Sequence, residues 1–171
     1  RWPPGPALNT VPSVILLVRH ASAGDRYRWW GDDVDRPLDE RGRAQADALA
    51  DAYGDAPLTA LLTSRAVRCQ QTVGPLAQRA GADLSVHKAL FEGDPASATE
   101  LVRELARADE AGFSVLCSHA DVIPEVLRDL MFDGMRVHGP RGCAMASAWE
   151  LTIADGHVTR GRYLARPGVG T

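Results

Sequence analysis

The chain has 171 residues and a mass of 18.4 kDa, which fits one domain that buries roughly two thirds of its extended surface. Hydrophobic residues make up 45% of the chain and charged residues 24%, and these values exclude a disordered, collagen-like or coiled-coil protein. The 19 basic and 22 acidic residues give a net charge of −3, which excludes a general attraction to nucleic acid or to an anionic membrane. A phosphate-binding site would therefore have to be a local cluster.

The N-terminal segment differs from the rest of the chain. Residues 1–13 hold four prolines and show no hydrophobic periodicity, which predicts an extended interdomain linker. The chain begins with Arg1 rather than Met, so we expect it to be part of a longer protein with a folded domain over residues 14–171.

The cysteines and the apolar runs indicate the compartment. Cys69, Cys117 and Cys143 fit neither a disulfide framework nor a metal-binding pair, which favours the reducing cytoplasm. The longest apolar run, residues 14–18, is far shorter than the roughly 20 residues that span a bilayer. We therefore expect no membrane association.

Short apolar runs alternate with segments of helical periodicity. The runs at residues 14–18, 60–62 and 115–117 predict strands, the first of them buried on both faces of a parallel sheet. Apolar stripes predict helices over residues 69–80, 101–106 and 123–131. The second of these helices is expected to begin at a capping box, residues 97–100.

The C-terminal part has a different pattern. Residues 146–153 and 157–164 flank the turn dipeptide Asp155-Gly156, which predicts an antiparallel hairpin at the edge of the sheet. Strands that alternate with helices favour parallel βαβ units. The sequence therefore predicts a three-layer α/β/α fold with a mainly parallel sheet and a C-terminal antiparallel edge hairpin.

Polar side chains follow the three predicted parallel strands. Arg19-His20 comes after the first, residues 63–68 after the second and Ser118-His119 after the third. Because parallel strands end at the same edge of a sheet, two histidines and several arginines should meet there. Guanidinium groups and helix amides bind phosphoryl oxygens, and a neutral histidine can attack phosphorus.

Four motifs occur in one order along the chain: residues 17–21 (LVRHA), residues 36–42 (RPLDERG), residues 64–72 and residues 118–120 (SHA). Together they resemble the histidine phosphatase superfamily, also called phosphoglycerate-mutase-like, over about residues 14–165. The resemblance implies that fold and a phosphatase activity that needs no metal or cofactor.

The resemblance also implies roles for five residues. His20 would be the nucleophile that becomes phosphorylated. Arg19 and Arg68 would hold the phosphoryl oxygens, and His119 would complete the pocket by hydrogen bonding to them. Glu92 would protonate the leaving group.

Four further residues are assigned to substrate binding. Arg36 resembles the arginine before Pro-Leu that faces the same anion in short phosphohistidine phosphatases. Ser64 and Ala120 belong to the motifs, and Arg65 occupies a position that varies in the family, which leaves its role open.

The compact length favours the small phosphohistidine-phosphatase branch and its relatives. Within that branch, residues 31–33 (GDD), 36–39 (RPLD) and 41–46 (RGRAQA), together with the proline-rich start and the missing Met, resemble the C-terminal domain of bacterial two-domain hydrolases that sanitise oxidised guanine nucleotides. The resemblance implies that an N-terminal Nudix domain acts on the triphosphate and that this domain removes a phosphate from diphosphates such as 8-oxo-(d)GDP. Two alternatives stay open. One is a phosphohistidine phosphatase that acts on a phosphorylated carrier protein, and the other is a non-catalytic phosphate-binding module.

Two features between residues 25 and 35 are interpreted separately. Trp29 and Trp30 are open to two interpretations, ordinary packing or a wall on which a nucleobase stacks. Asp32, Asp33 and Asp35 are expected to form a solvated face of a loop.

Overall fold

A single mixed sheet forms the centre of the molecule. The computed structural model describes residues 11–166, and within them seven strands form this sheet: β1 (Ser13–Arg19), β2 (Leu58–Thr63), β3 (Ser85–Val86), β4 (Gly112–Ser118), β5 (Arg136–Val137), β6 (Ala148–Ala154) and β7 (His157–Leu164). The helices are α1 (Glu40–Tyr53), α2 (Val67–Ala80), α3 (Pro95–Ala108) and α4 (Ile123–Phe132), with short 3-10 helices at Asp33–Asp35 and Lys88–Leu90.

The strand order is β3-β2-β4-β1-β6-β7-β5. Strands β1 to β4 are parallel, whereas β6 runs antiparallel to both β1 and β7, and β5 pairs parallel to β7 outside the hairpin. Asp155 and Gly156 join β6 to β7 with φ angles of 52° and 75°, the positive values that a type I′ hairpin turn requires. The predicted fold class is confirmed, including the antiparallel C-terminal hairpin.

Helices cover both faces of the sheet. Strand β1 alternates between two hydrophobic clusters: Ile15 and Leu17 pack with α3 and α4, and Leu16 and Val18 pack with α1 and α2. All four side chains are buried, so the continuous apolar run does mark a strand covered on both faces. The result is three layers with the sheet in the middle.

Two helix predictions need correction. Helix α1 was not predicted, because only Leu49 and Tyr53 are large apolar residues on its buried face, where the others are glycine, glutamine and alanine and leave a weak apolar stripe. Helix α3 begins at Pro95, not at the capping box of residues 97–100. The Asp94 carboxylate accepts the backbone N–H of Ser97 at 3.2 Å, and Pro95 has the fixed φ that suits a first helical residue.

The predicted linker lies mostly outside the described residues. Only its last three positions are described, and the last of them, Ser13, is the first residue of β1. Among the described helices, none is long and apolar enough to cross a membrane.

Helix α1 packs so closely against the segment after His20 that one position accepts only glycine. A Cβ on Gly42 would lie 1.9 Å from the backbone oxygen of Ser22, so we expect Gly42→Ala to lower the free energy of unfolding by about 2–3 kcal/mol. The control is Gly74→Ala in α2, where a Cβ meets nothing within 4 Å. Helix propensity favours that alanine and the following Pro75 opposes it, so the change should stay within about 1 kcal/mol. Denaturant unfolding measures both, and equal losses would contradict the steric argument.

Candidate active site

The carboxyl ends of the central strands place both histidines at one edge of the sheet. His20 follows the last residue of β1, and His119 follows the last residue of β4. The backbone N–H of His20 donates to the Ser118 carbonyl at 3.1 Å, and that of Ser64 donates to the Cys117 carbonyl at 3.0 Å, which keeps the three strand ends side by side. The centroids of the two imidazole rings are 5.5 Å apart.

The environment of His20 defines its tautomer. Its Nδ1 lies 2.9 Å from the backbone oxygen of Ala21, which can only accept, so Nδ1 carries the proton and Nε2 keeps its lone pair. Burial lowers the pKa of His20, and the positive charges of Arg68 and Arg19 lower it further against the opposing hydrogen bond to Ala21, to about 3. A neutral imidazole with a free Nε2 is a nucleophile.

His119 is 2% exposed and is held from both ring nitrogens. Its Nε2 lies 2.7 Å from the Ser64 hydroxyl oxygen, and its Nδ1 lies 3.2 Å from Glu92 Oε1. The ring of Phe91 packs edge-on against it, with centroids 5.8 Å apart. The imidazole therefore has a defined orientation.

Arg68 lies in the first turn of α2, and its side chain is only 2% exposed. Its Nη2 pairs with the Glu92 carboxylate and lies 3.3 Å from Asp33 Oδ2, while its Nη1 donates to the Asp33 backbone oxygen at 2.8 Å. Two carboxylates from different segments thus compensate one buried guanidinium.

Asp33 is not on a solvated loop face as expected, because it lies between arginines. Arg36 donates its Nε–H to Asp33 Oδ1 at 2.9 Å and an Nη1 hydrogen to the Ala23 carbonyl at 2.8 Å. The hydrogen bond from Arg36 and the nearby charge of Arg68 hold the pKa of Asp33 below its usual value despite partial burial. The sequence does contain one indication of this ion pair: Asp33 and Arg36 are three residues apart, a spacing that brings two side chains together across a 3-10 turn.

A cavity of about 510 Å³ opens at this edge of the sheet. It contains all of the sequence-predicted site residues except two: Arg19, His20, Arg36, Arg68, Glu92, His119 and Ala120. Sequence reasoning missed six further lining residues, Gly24, Asp25, Arg26, Asp33, Asp121 and Met145. Among these, Asp121 accepts the backbone N–H of Gly93 at 2.9 Å and so anchors the segment that carries Glu92.

Ser64 and Arg65 do not line the cavity. Ser64 is fully buried behind His119. Arg65 is exposed, and its guanidinium carbon lies 4.0 Å above the centre of the Phe91 ring.

The cavity holds nearly equal numbers of acidic and basic side chains. Four arginines line it, together with the four carboxylates Asp25, Asp33, Glu92 and Asp121. An anion in this cavity would therefore be held by hydrogen-bond donors, because the cavity has no excess of positive charge. In residues 11–166 no group of three histidine, cysteine, aspartate or glutamate side chains is arranged to hold a metal ion.

The fold and the cavity define a class of protein: α/β phosphate-processing enzymes with a histidine and arginine pocket at the carboxyl edge of the sheet. The family model of the histidine phosphatase superfamily (branch 1) matches residues 15–113. The chain belongs to this superfamily, and its enzyme class is that of a histidine phosphatase.

One curated relative is an 8-oxo-(d)GTP phosphatase of Mycolicibacterium smegmatis, 36% identical over 159 residues. The match covers 90% of this chain and 48% of the relative, so the chain spans about half of the relative's length.

Two solved structures have the same fold at lower identity. The protein histidine phosphatase SixA in complex with tungstate has a TM-score of 0.69 at 16% identity, covering 91% of this chain and 97% of its own. A mycobacterial glucosyl-3-phosphoglycerate phosphatase in complex with VO3 has a TM-score of 0.67 at 20% identity, covering 88% and 97%. At these identities the likeness establishes the fold alone.

The low pKa of His20 predicts a pH dependence of stability. The unfolded chain takes up a proton at His20 as pH falls below about 6.5, whereas the folded protein does so only near pH 3. The contribution of His20 to stability is therefore complete above about pH 6.5 and is lost as pH falls toward 3. We expect the free energy of unfolding to fall less steeply between about pH 6.5 and 4 in His20→Asn than in the wild type. Denaturant unfolding at a series of pH values measures this, and parallel curves would contradict the shifted pKa.

Proposed function

We propose that the chain removes the terminal phosphate from nucleoside diphosphates, including 8-oxo-(d)GDP, through a phosphohistidine at His20. The observation that carries the proposal is the free Nε2 of a buried, neutral His20 in a cavity walled by Arg19, Arg68 and His119. This is the arrangement that nucleophilic catalysis at phosphorus needs.

In the first step the Nε2 lone pair attacks the β-phosphorus. The bond from that phosphorus to the bridging oxygen breaks, and its electron pair leaves with the nucleoside monophosphate. The buried Nε atoms of Arg19 and Arg68 have no hydrogen-bond partner among the described residues, so the site retains donors for phosphoryl oxygens. Catalysis would then rest on positioning and on stabilising charge in the transition state.

In the second step water attacks the phosphorus of phosphohistidine, the P–N bond breaks, and Nε2 regains its lone pair as phosphate leaves. Glu92 is the proposed proton carrier. Once the phosphoryl group displaces its carboxylate from Arg68, Glu92 takes up a proton from solvent and gives it to the leaving oxygen in the first step, and it takes a proton from the attacking water in the second. A nucleoside monophosphate is already a fair leaving group, so the first transfer matters less than it would for a sugar alkoxide.

The nucleotide substrate is supported by the relative named an 8-oxo-(d)GTP phosphatase, which matches 90% of this chain. That relative is about twice as long as the matching region. We propose that an N-terminal Nudix domain carries out the preceding reaction, in which the triphosphate is converted into the diphosphate that this chain hydrolyses.

The mechanism predicts that His20→Ala loses at least about 10³-fold in the rate of phosphate release, because removing a covalent nucleophile costs far more than removing a binding contact. The wild type incubated with substrate should carry acid-labile phosphate on His20. The control is His157→Ala, an exposed histidine at the opposite edge of the sheet, which should keep full activity. Undiminished activity of His20→Ala would show that the mechanism is wrong.

A side-by-side screen tests the substrate. We expect release from nucleoside diphosphates to exceed release from sugar phosphates and from a phosphohistidine carrier protein, and to persist in the presence of a metal chelator. Preference for the carrier protein would favour the phosphohistidine phosphatase alternative. Binding of nucleotide without turnover, and without phosphate on His20, would favour the non-catalytic module.

Trp30 provides a test of base recognition. It is fully exposed and lies three residues before Asp33, which lines the cavity, so the chain length keeps the two Cα atoms within about 11 Å. Stacking on an aromatic ring is worth about 1–3 kcal/mol per base, so Trp30→Ala should raise KM for nucleoside diphosphates about 5- to 150-fold and leave KM for pyrophosphate unchanged. The control is Phe132→Ala, an exposed aromatic residue at the C-terminal end of α4. Equal effects on both substrates would exclude a role in base binding.

A further inference from the structure

Ser64 contacts the site from behind, not from within the cavity. Its side chain is fully buried, and its hydroxyl oxygen lies 2.7 Å from His119 Nε2. The same oxygen accepts the backbone N–H of Ala66 at 3.3 Å. The hydroxyl therefore joins the first turn of α2 to the imidazole ring.

The partners of His119 define where its proton lies. Glu92 Oε1, 3.2 Å from Nδ1, can only accept when ionised, so a proton on Nδ1 satisfies this contact. Nε2 then presents its lone pair to Ser64. Because Ala66 already donates to the Ser64 oxygen, the Ser64 proton is free to point at Nε2.

Other groups also face the ring. Cys69 Sγ lies 3.6 Å from Nε2, Arg68 Nη2 lies 3.5 Å from Nδ1, and the His20 ring stands edge-on at 5.5 Å. Among the groups of residues 11–166 that face the ring, Ser64 alone combines a short contact with a proton to give to Nε2. Without the Ser64 hydroxyl, the imidazole proton can move to Nε2 and form a hydrogen bond to the Cys69 sulfur. Nδ1 would then present a lone pair to the phosphoryl group instead of a proton.

We propose that Ser64 is a positioning residue that holds His119 with its Nδ1–H directed at the phosphoryl group, and that it makes no contact with substrate. The inference rests on the proposed role of His119 as a donor to that group. It does not depend on which phosphate compound is the substrate.

A double-mutant cycle tests whether Ser64 acts through His119. With p-nitrophenyl phosphate as substrate, Ser64→Ala should lower kcat/KM by about 10- to 100-fold. Adding the same change to His119→Ala should lower it no further than about twofold. If Ser64 contacted the substrate or only supported the fold, the two losses would multiply, and that result would overturn the proposal.

Ser118→Ala is the matched control. Ser118 is also fully buried at a strand end beside His119, and its hydroxyl donates to the Leu90 carbonyl at 2.7 Å instead of to the imidazole. Its loss removes a comparable buried hydrogen bond, so kcat/KM should stay within about threefold of the wild type. An equal loss in both variants would also overturn the proposal.

Nitrogen-15 spectra of the labelled imidazoles give a readout that does not involve activity. In the ligand-free wild type, His119 should be protonated at Nδ1, and in Ser64→Ala the proton population should move toward Nε2. Ser64→Cys fills the same space with a weaker donor, so its His119 proton population should also move toward Nε2. This variant replaces Ser64→Ala in the experiment if the alanine variant does not fold. Unchanged His119 signals in the folded variant would show that Ser64 does not set the tautomer. Wild-type activity in His20→Ala and His119→Ala would instead reject the proposed function, leaving the spectra as the test of Ser64.

Discussion

The burial of Arg68 is the constraint on which the site depends. A guanidinium with 2% of its side chain exposed must be compensated, because an unpaired buried charge costs several kcal/mol. Its partners come from separate parts of the chain: Asp33 from the loop after β1, and Glu92 from the segment before α3. His119, after β4, shares the Glu92 carboxylate with it. The sheet brings these three segments to the same edge. The buried Arg68 guanidinium then fixes their side chains relative to one another.

This compensation changes how the pocket would recognise phosphate. The sequence led us to expect a local excess of positive charge, but Arg68 and Arg36 already share the carboxylate of Asp33. An entering phosphoryl group must therefore compete with carboxylates for guanidinium hydrogens. Charge-assisted hydrogen bonds to a dianion are strong enough for this competition, whereas a weaker acceptor would be excluded. Such a site selects its ligand by geometry and donor count more than by long-range attraction, consistent with the net charge of −3.

Much of the fold and the centre of the site could be predicted, because both depend on local patterns. The apolar run of β1 marks a doubly covered strand, and the parallel topology then requires His20 and His119 to meet at one edge. Contacts that depend on the packing between segments could not be predicted. Asp33 looks like any acidic loop residue until the loop folds back over Arg68. Ser64 belongs to the motif that carries Arg68, yet no pattern in one sequence distinguishes a side chain that faces substrate from one that supports His119.

The loop after β1 carries cavity-lining residues and exposed aromatic side chains in one short segment. Arg26 and Asp33 line the cavity, and the exposed Tyr27 and Trp30 lie between them, with 91% and 100% of their surfaces accessible. A ligand that stacks on Trp30 and places its phosphate on Arg68 would therefore affect this loop in two ways. Its base would contact Trp30 directly, and its phosphate would compete with Asp33 for Arg68. One fold hosts enzymes with different substrates, so under the proposed function specificity would come from segments such as this one. Because Asp33 compensates Arg68, a movement of the loop on base binding would change the number of guanidinium donors available to the phosphoryl group.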